Sequence, residues 1–124
     1  MLYSKIEYSS TTKPLDEYIM LQVHTFLTEN EEIIQAFDGD DVVAFFTNKK
    51  IIFVCLPSNP GGPKTRCKAE LLPYRSISRC SVLGSSDTKH GKLKPAVSDN
   101  ITLTFYIPKY SDAIDLCRKI SEYI

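Results

Sequence analysis

Between residues 31 and 107 apolar residues recur at every second position or in short unbroken runs, and on either side of that stretch they recur at helical spacing. "EEIIQAF" (31–37) predicts a first strand, and the Asp/Gly cluster "DGDD" (38–41) closes it as a turn. "VVAFFT" and "IIFVCL" flank Asn48, Lys49 and Lys50, which predicts a tight hairpin of β-branched and aromatic residues. "PSNPGGPKT" is a loop; "RCKAELL" and "SISRCSVL" resume as fourth and fifth strands. "HGKLKPAVS" is a weaker sixth, in which Pro95 has no N–H for a ladder and implies an edge or a bulge. "ITLTFYI" alternates, with Ile101, Leu103, Phe105 and Ile107 on one face and Thr102, Thr104 and Tyr106 on the other. Seven consecutive strands with regular turns predict a sandwich or a barrel.

The flanks differ. Residues 1–13 are polar and read as an arm with one short strand at most. From Pro14, which suits a first helical turn, Leu15, Tyr18, Ile19, Val23, Phe26 and Leu27 fall within one arc and predict an amphipathic helix over 14–27. A second helix is predicted over 111–124: Ser111 is a candidate cap, Asp112 and Asp115 suit the positive end of the dipole, and Ala113, Ile114, Leu116, Cys117, Ile120, Tyr123 and Ile124 share a face. One such helix can plug the open end of a barrel, burying its stripe and the barrel's core together. The expected architecture is therefore a mainly β single domain over 14–124, with a seven-stranded antiparallel barrel, a C-terminal capping helix and an extra N-terminal helix.

Composition sets the bounds. A chain of 124 residues with 43% hydrophobic and 24% charged residues is an ordinary globular domain. On this size scale roughly two-thirds of the extended surface is buried on folding, so no metal or disulfide staple is needed. No signal peptide or membrane-length apolar run stands out, and the cytoplasm is the expected compartment. Cys55, Cys67, Cys80 and Cys117 lack the paired spacing of a zinc site and read as small buried hydrophobes. Residues 1–48 hold nine acids and two bases, whereas residues 49–95 hold ten bases and two acids, so the net charge of zero hides a strong segregation. The two segments can face one another within a subunit or between subunits, or the basic one can face an anionic partner.

Three stretches resemble the bacterial pleckstrin-homology-like family: "EEIIQAF" leading into "VVAFFTNKKIIFV", "LLPYRSISRCSV", and the terminal helix. In the second, Pro73 is expected to end one strand's pairing, Tyr74 to anchor the corner and Ile77 to begin the next inward set. The chain departs from the family's pattern at "GGPKT" and "VLGSS". The resemblance implies a PH-like barrel, a binding role and a tendency to self-associate.

The chemistry visible in the residues is sparse. Asp38, Asp40 and Asp41 fill the loop that carries bases in phosphoinositide-binding relatives, and their charge argues against such a headgroup. Their spacing does not match a calcium loop. Lys49, Lys50, Lys64, Arg66, Lys68, Arg75 and Arg79 form the candidate surface for an anionic partner, with Lys64, Arg66 and Lys68 alternating along one strand. Nucleic acid is disfavoured because the domain as a whole is not basic. Pro63 spoils the P-loop-like "GGPKT", and Ser85, Asp87 and His90 share a polar loop without the buried acid that a triad needs. The expectation is a non-catalytic module without metal or cofactor that binds a protein or its own kind. The alternative is peripheral attachment to an anionic membrane through the basic row.

Overall fold

The structure, a computed structural model, describes residues 6–11, 17–39, 41–55, 69–84, 90–98 and 100–123. In chain order the elements are β1 (Glu7–Ser10), α1 (Glu17–Phe26), β2 (Ile33–Asp38), β3 (Val42–Thr47), β4 (Lys50–Cys55), β5 (Ala69–Pro73), a 3-10 turn (Tyr74–Ser76), β6 (Arg79–Gly84), β7 (Gly91–Ser98), β8 (Ile101–Thr102), β9 (Thr104–Ile107) and α2 (Tyr110–Ser121). The strands form one curved sheet in the order β5-β4-β3-β2-β1-β9-β7-β6, with β8 paired to β7. The seven predicted strands are β2 to β7 and the divided β8/β9, and β1 brings the described strands to nine; with α2 packed against them they agree with the PH-like architecture expected from the sequence. The barrel is open along one seam: β5 and β6 are the two ends of the sheet, joined by the turn at Tyr74.

The short N-terminal strand is central to the sheet. β1 pairs antiparallel with β2 and parallel with β9, joining the β2–β5 meander to the β6–β9 half. Its inward residue, Tyr8, is fully buried, stacks on Phe105 at 4.9 Å and meets Phe53 at 5.8 Å. Phe37, Phe46 and Phe105 complete the aromatic centre through edge contacts of 4.8 to 5.3 Å. Such tilted and offset pairs add roughly 1 kcal/mol each beyond the area they bury.

β3 and β4 are buried on both faces, which is why "VVAFF" and "IIFV" run unbroken instead of alternating. Their inward residues Val42, Ala44, Phe46, Ile51 and Phe53 join the barrel core. Their outward residues Val43, Phe45, Ile52 and Val54 are covered by Ile19 and Val23 of α1. The helix predicted over 14–27 is described from Glu17 to Phe26 and lies with its apolar stripe on the sheet; residues 12–16 lie outside the described part.

α2 enters the concave side against β6, β7 and β9, burying Ala113, Leu116 and Ile120. Lys109, not Ser111, occupies its N-cap, without a side-chain cap bond, so the helix starts one residue before the predicted position. Gly91 makes room for it, since a Cβ there would lie 2.8 Å from that of Ala113. Pro95 sits on an internal strand rather than an edge. The ladder is irregular beside it: register slips between Ala96 and Ser98, and the neighbouring chain breaks at Leu103, whose N–H donates to the Pro95 carbonyl at 3.0 Å. That break divides the predicted "ITLTFYI" strand into β8 and β9.

Candidate functional site

The hairpin between β3 and β4 has a two-residue loop, Asn48-Lys49, and its polar side chains all turn back onto the segment before β2. Thr47 Oγ1 accepts the N–H groups of Lys49 and Lys50, both at 3.1 Å, and donates to the Glu31 carboxylate. Glu31 also accepts from the Thr28 N–H at 2.9 Å, the Thr28 hydroxyl at 3.1 Å and the Lys50 ammonium at 2.6 Å. Asn48 accepts the Glu32 N–H at 2.8 Å and donates to the Asn30 carbonyl at 3.1 Å, where Asn30 holds a left-handed φ of 63°. Lys49 donates to Thr28 Oγ1 and the Glu29 carbonyl. Burial by itself pushes the Glu31 carboxyl up, but the bonds from Lys50, Thr47 and Thr28 outweigh it and hold the group at about 2.

The Leu-Pro-Tyr corner closes on the same knot. Pro73 is the last residue of β5 to pair, opposite Lys50. The next residue, Tyr74, is buried, donates its hydroxyl to the Thr47 carbonyl at 2.6 Å and stacks on Tyr123 at 5.8 Å. Burial is the main cause that raises its phenol above the ordinary range. Ile77 then enters the barrel core. The two internal stretches that carry the family resemblance are thereby bonded to each other, and their conspicuous polar residues hold the backbone rather than face an open cleft.

This sorts the basic residues singled out in the sequence. Lys50 is paired with Glu31 and Lys49 is bonded to residues 28 and 29. Arg75 and Arg79 are exposed, on the 3-10 turn and at the first position of β6. Lys64, Arg66 and Lys68 lie outside the described residues, as do Asp40, Ser85, Asp87 and the "GGPKT" loop. Cys67 does too; Cys80 and Cys117 are half-buried free thiols, and Cys55 is half-buried. Burial first, and then the neighbouring Cys117, push the Cys80 thiol up to about 12. Among the described residues no group of three or more His, Cys, Asp or Glu is placed to hold a metal ion. No described helix is long and apolar enough to cross a membrane.

A second feature went unread in the sequence. On the outer face of β1, β9, β7 and β6, register aligns Ser9, Tyr106, Lys92 and Leu83 in one cross-strand row. A groove of about 750 Å³ follows this row to the rim, where Ser10, Ile107, Pro108, Gly84 and His90 join it. Lys92 Nζ stands 5.2 Å from the centroid of the Tyr106 ring, within cation–π range. Desolvation and then the neighbouring Glu7 carboxylate raise the pKa of the Tyr106 hydroxyl. Leu83 is 47% exposed. The sequence signal was the alternation of Lys92 and Lys94 with Leu93, which marks a strand with a basic outer face.

No protein-family model matches the chain, and no curated protein matches it. Among solved structures it is similar to a DUF1696 family protein with a pleckstrin-homology domain from Shewanella loihica PV-4, with 18% identity over 90% of this chain and 98% of that one and a TM-score of 0.49. It is also similar to a pleckstrin homology domain from Shewanella amazonensis SB2B, with 21% identity over 86% of this chain and 96% of that one and a TM-score of 0.49.

Proposed function

We propose that this chain is a non-catalytic binding and assembly module whose main partner is another protein surface, a second copy of itself in the first instance. The observation that supports this most is the open seam of the barrel. β5 and β6 end the sheet, and each carries a solvent-facing leucine, Leu71 at 44% and Leu83 at 47% exposure. A strand at the end of a sheet presents backbone donors and acceptors to any chain that can extend the ladder, and exposed apolar side chains favour that pairing. The buried acid Glu31 is taken up by the hairpin knot, where it already has four donors.

Light scattering at high protein concentration, in low and in high salt, tests the reading. The expected result is a defined oligomer that Leu71→Lys or Leu83→Lys weakens. A monomer at both salt concentrations removes self-association. Salt-sensitive sedimentation with anionic vesicles, lost in Arg75→Glu/Arg79→Glu, would put the membrane reading in its place.

A further inference from the structure

We propose that the rim groove on the outer face of β6, β7, β9 and β1 is a binding site for a small carboxylate with an aliphatic body. The proposal goes beyond the assembly role and does not depend on it. The groove's volume of about 750 Å³ lies within the roughly 300–1,000 Å³ range of small-molecule sites. Its described lining is divided by chemistry. Leu83 and Pro108 supply aliphatic surface, while Lys92, His90 and the two serines supply donors.

The charges select the sign of the ligand. Of the described ionisable residues on the lining, Lys92 is cationic, His90 is a base, and Tyr106 is a phenol whose raised pKa keeps it neutral, so a cationic head is repelled and an anionic one attracted. Lys92 is the one fixed positive charge among them, which suits a single carboxylate better than a polyanion. Its ammonium stands 5.2 Å from the centroid of the Tyr106 ring. The cation is thus positioned before a ligand arrives, which lowers the entropy cost of binding. Because Lys92 covers that face of the ring, the apolar body is left to the aliphatic side chains rather than to an aromatic stack. Glu7 lies two residues along β1 from Ser9, so its negative charge directs a carboxylate toward the Lys92 and His90 end.

Titration of the isotope-labelled chain with sodium octanoate, followed by amide NMR shifts, tests the site. The expected result is a saturable shift confined to Ser9, Ser10, Leu83, Gly84, Lys92 and Tyr106. Octan-1-ol and octylammonium should bind at least about tenfold more weakly, the scale of one charged contact. Lys92→Glu should weaken octanoate binding by about tenfold or more, with the rest of the spectrum unchanged. Lys119→Glu, on α2 outside the groove, should leave it as it was. The proposal is overturned if no saturable shift occurs at millimolar octanoate, if octanol binds equally well, or if Lys92→Glu binds as the parent does. Light scattering on the same samples reads the assembly role separately, so either idea can fail alone.

Discussion

Glu31 shows what one side chain does in this molecule. Its carboxyl sits at about 2 in the folded chain against an ordinary value of 4.5, so the folded state binds the proton less readily than the unfolded one. The stabilisation is therefore fully present above pH 4.5 and is lost as pH falls from there toward 2. A shift of this size corresponds to on the order of 3 kcal/mol. Chemical denaturation as a function of pH should show that loss in the parent chain and a much flatter profile in Glu31→Gln. At neutral pH, Glu31→Ala should destabilise by about 3–5 kcal/mol, because it leaves the Lys50 ammonium half-buried and unpaired. Tyr74→Phe removes a single bond to the Thr47 carbonyl, and a cost of about 1–3 kcal/mol in the same assay is expected. Gly39 is a matter of space, not of φ, since a Cβ there would lie 2.7 Å from the ring of buried Tyr8. Gly39→Ala should therefore cost about 1–3 kcal/mol in thermal or denaturant melts, as overpacking does elsewhere. Little of this was legible in advance. Glu31 looked like the first residue of a strand in an acidic segment, and nothing in "EEIIQAF" tells a buried acid from a solvated one. The three-dimensional closeness of Thr28, Thr47 and Lys50 is what distinguishes it.

At the scale of elements, the helices and the central hairpin were the readable parts, because burial leaves its period in the sequence. Val43, Phe45, Ile52 and Val54 face outward and need α1; the unbroken apolar runs of β3 and β4 and the stripe from Ile19 to Leu27 are two sides of that contact. Val23→Asp should detach α1 and expose those four residues, with greater binding of a hydrophobic dye and aggregation on warming as the readouts. Leu116→Ala on α2 should cost about 2–5 kcal/mol, the range for truncating a buried leucine. β1 could not be read with equal clarity. Only Tyr8 among its four residues is inward and apolar, so the strand has no hydrophobic period to detect. The groove was hidden for a related reason: its residues come from four strands, and only strand order and register bring Ser9, Tyr106, Lys92 and Leu83 into line.

The whole molecule is two antiparallel meanders fastened together by a strand from the opposite end of the chain. Charge segregation, the most conspicuous global property of the sequence, is partly consumed inside the subunit, where acidic-half Glu31 meets basic-half Lys50. Among the described residues it also leaves a basic outer face on β6 and β7, with Arg79, Lys92 and Lys94. The bridging strand has a consequence for biosynthesis. Glu7 pairs with Thr104 and Tyr8 with Phe105, so every element from α1 to β8 lies between partners that must meet. Contacts so distant in sequence form slowly because a long segment must first be closed into a loop. On a ribosome, β1 has to wait, its one aromatic side chain unsheltered, until β9 has been translated.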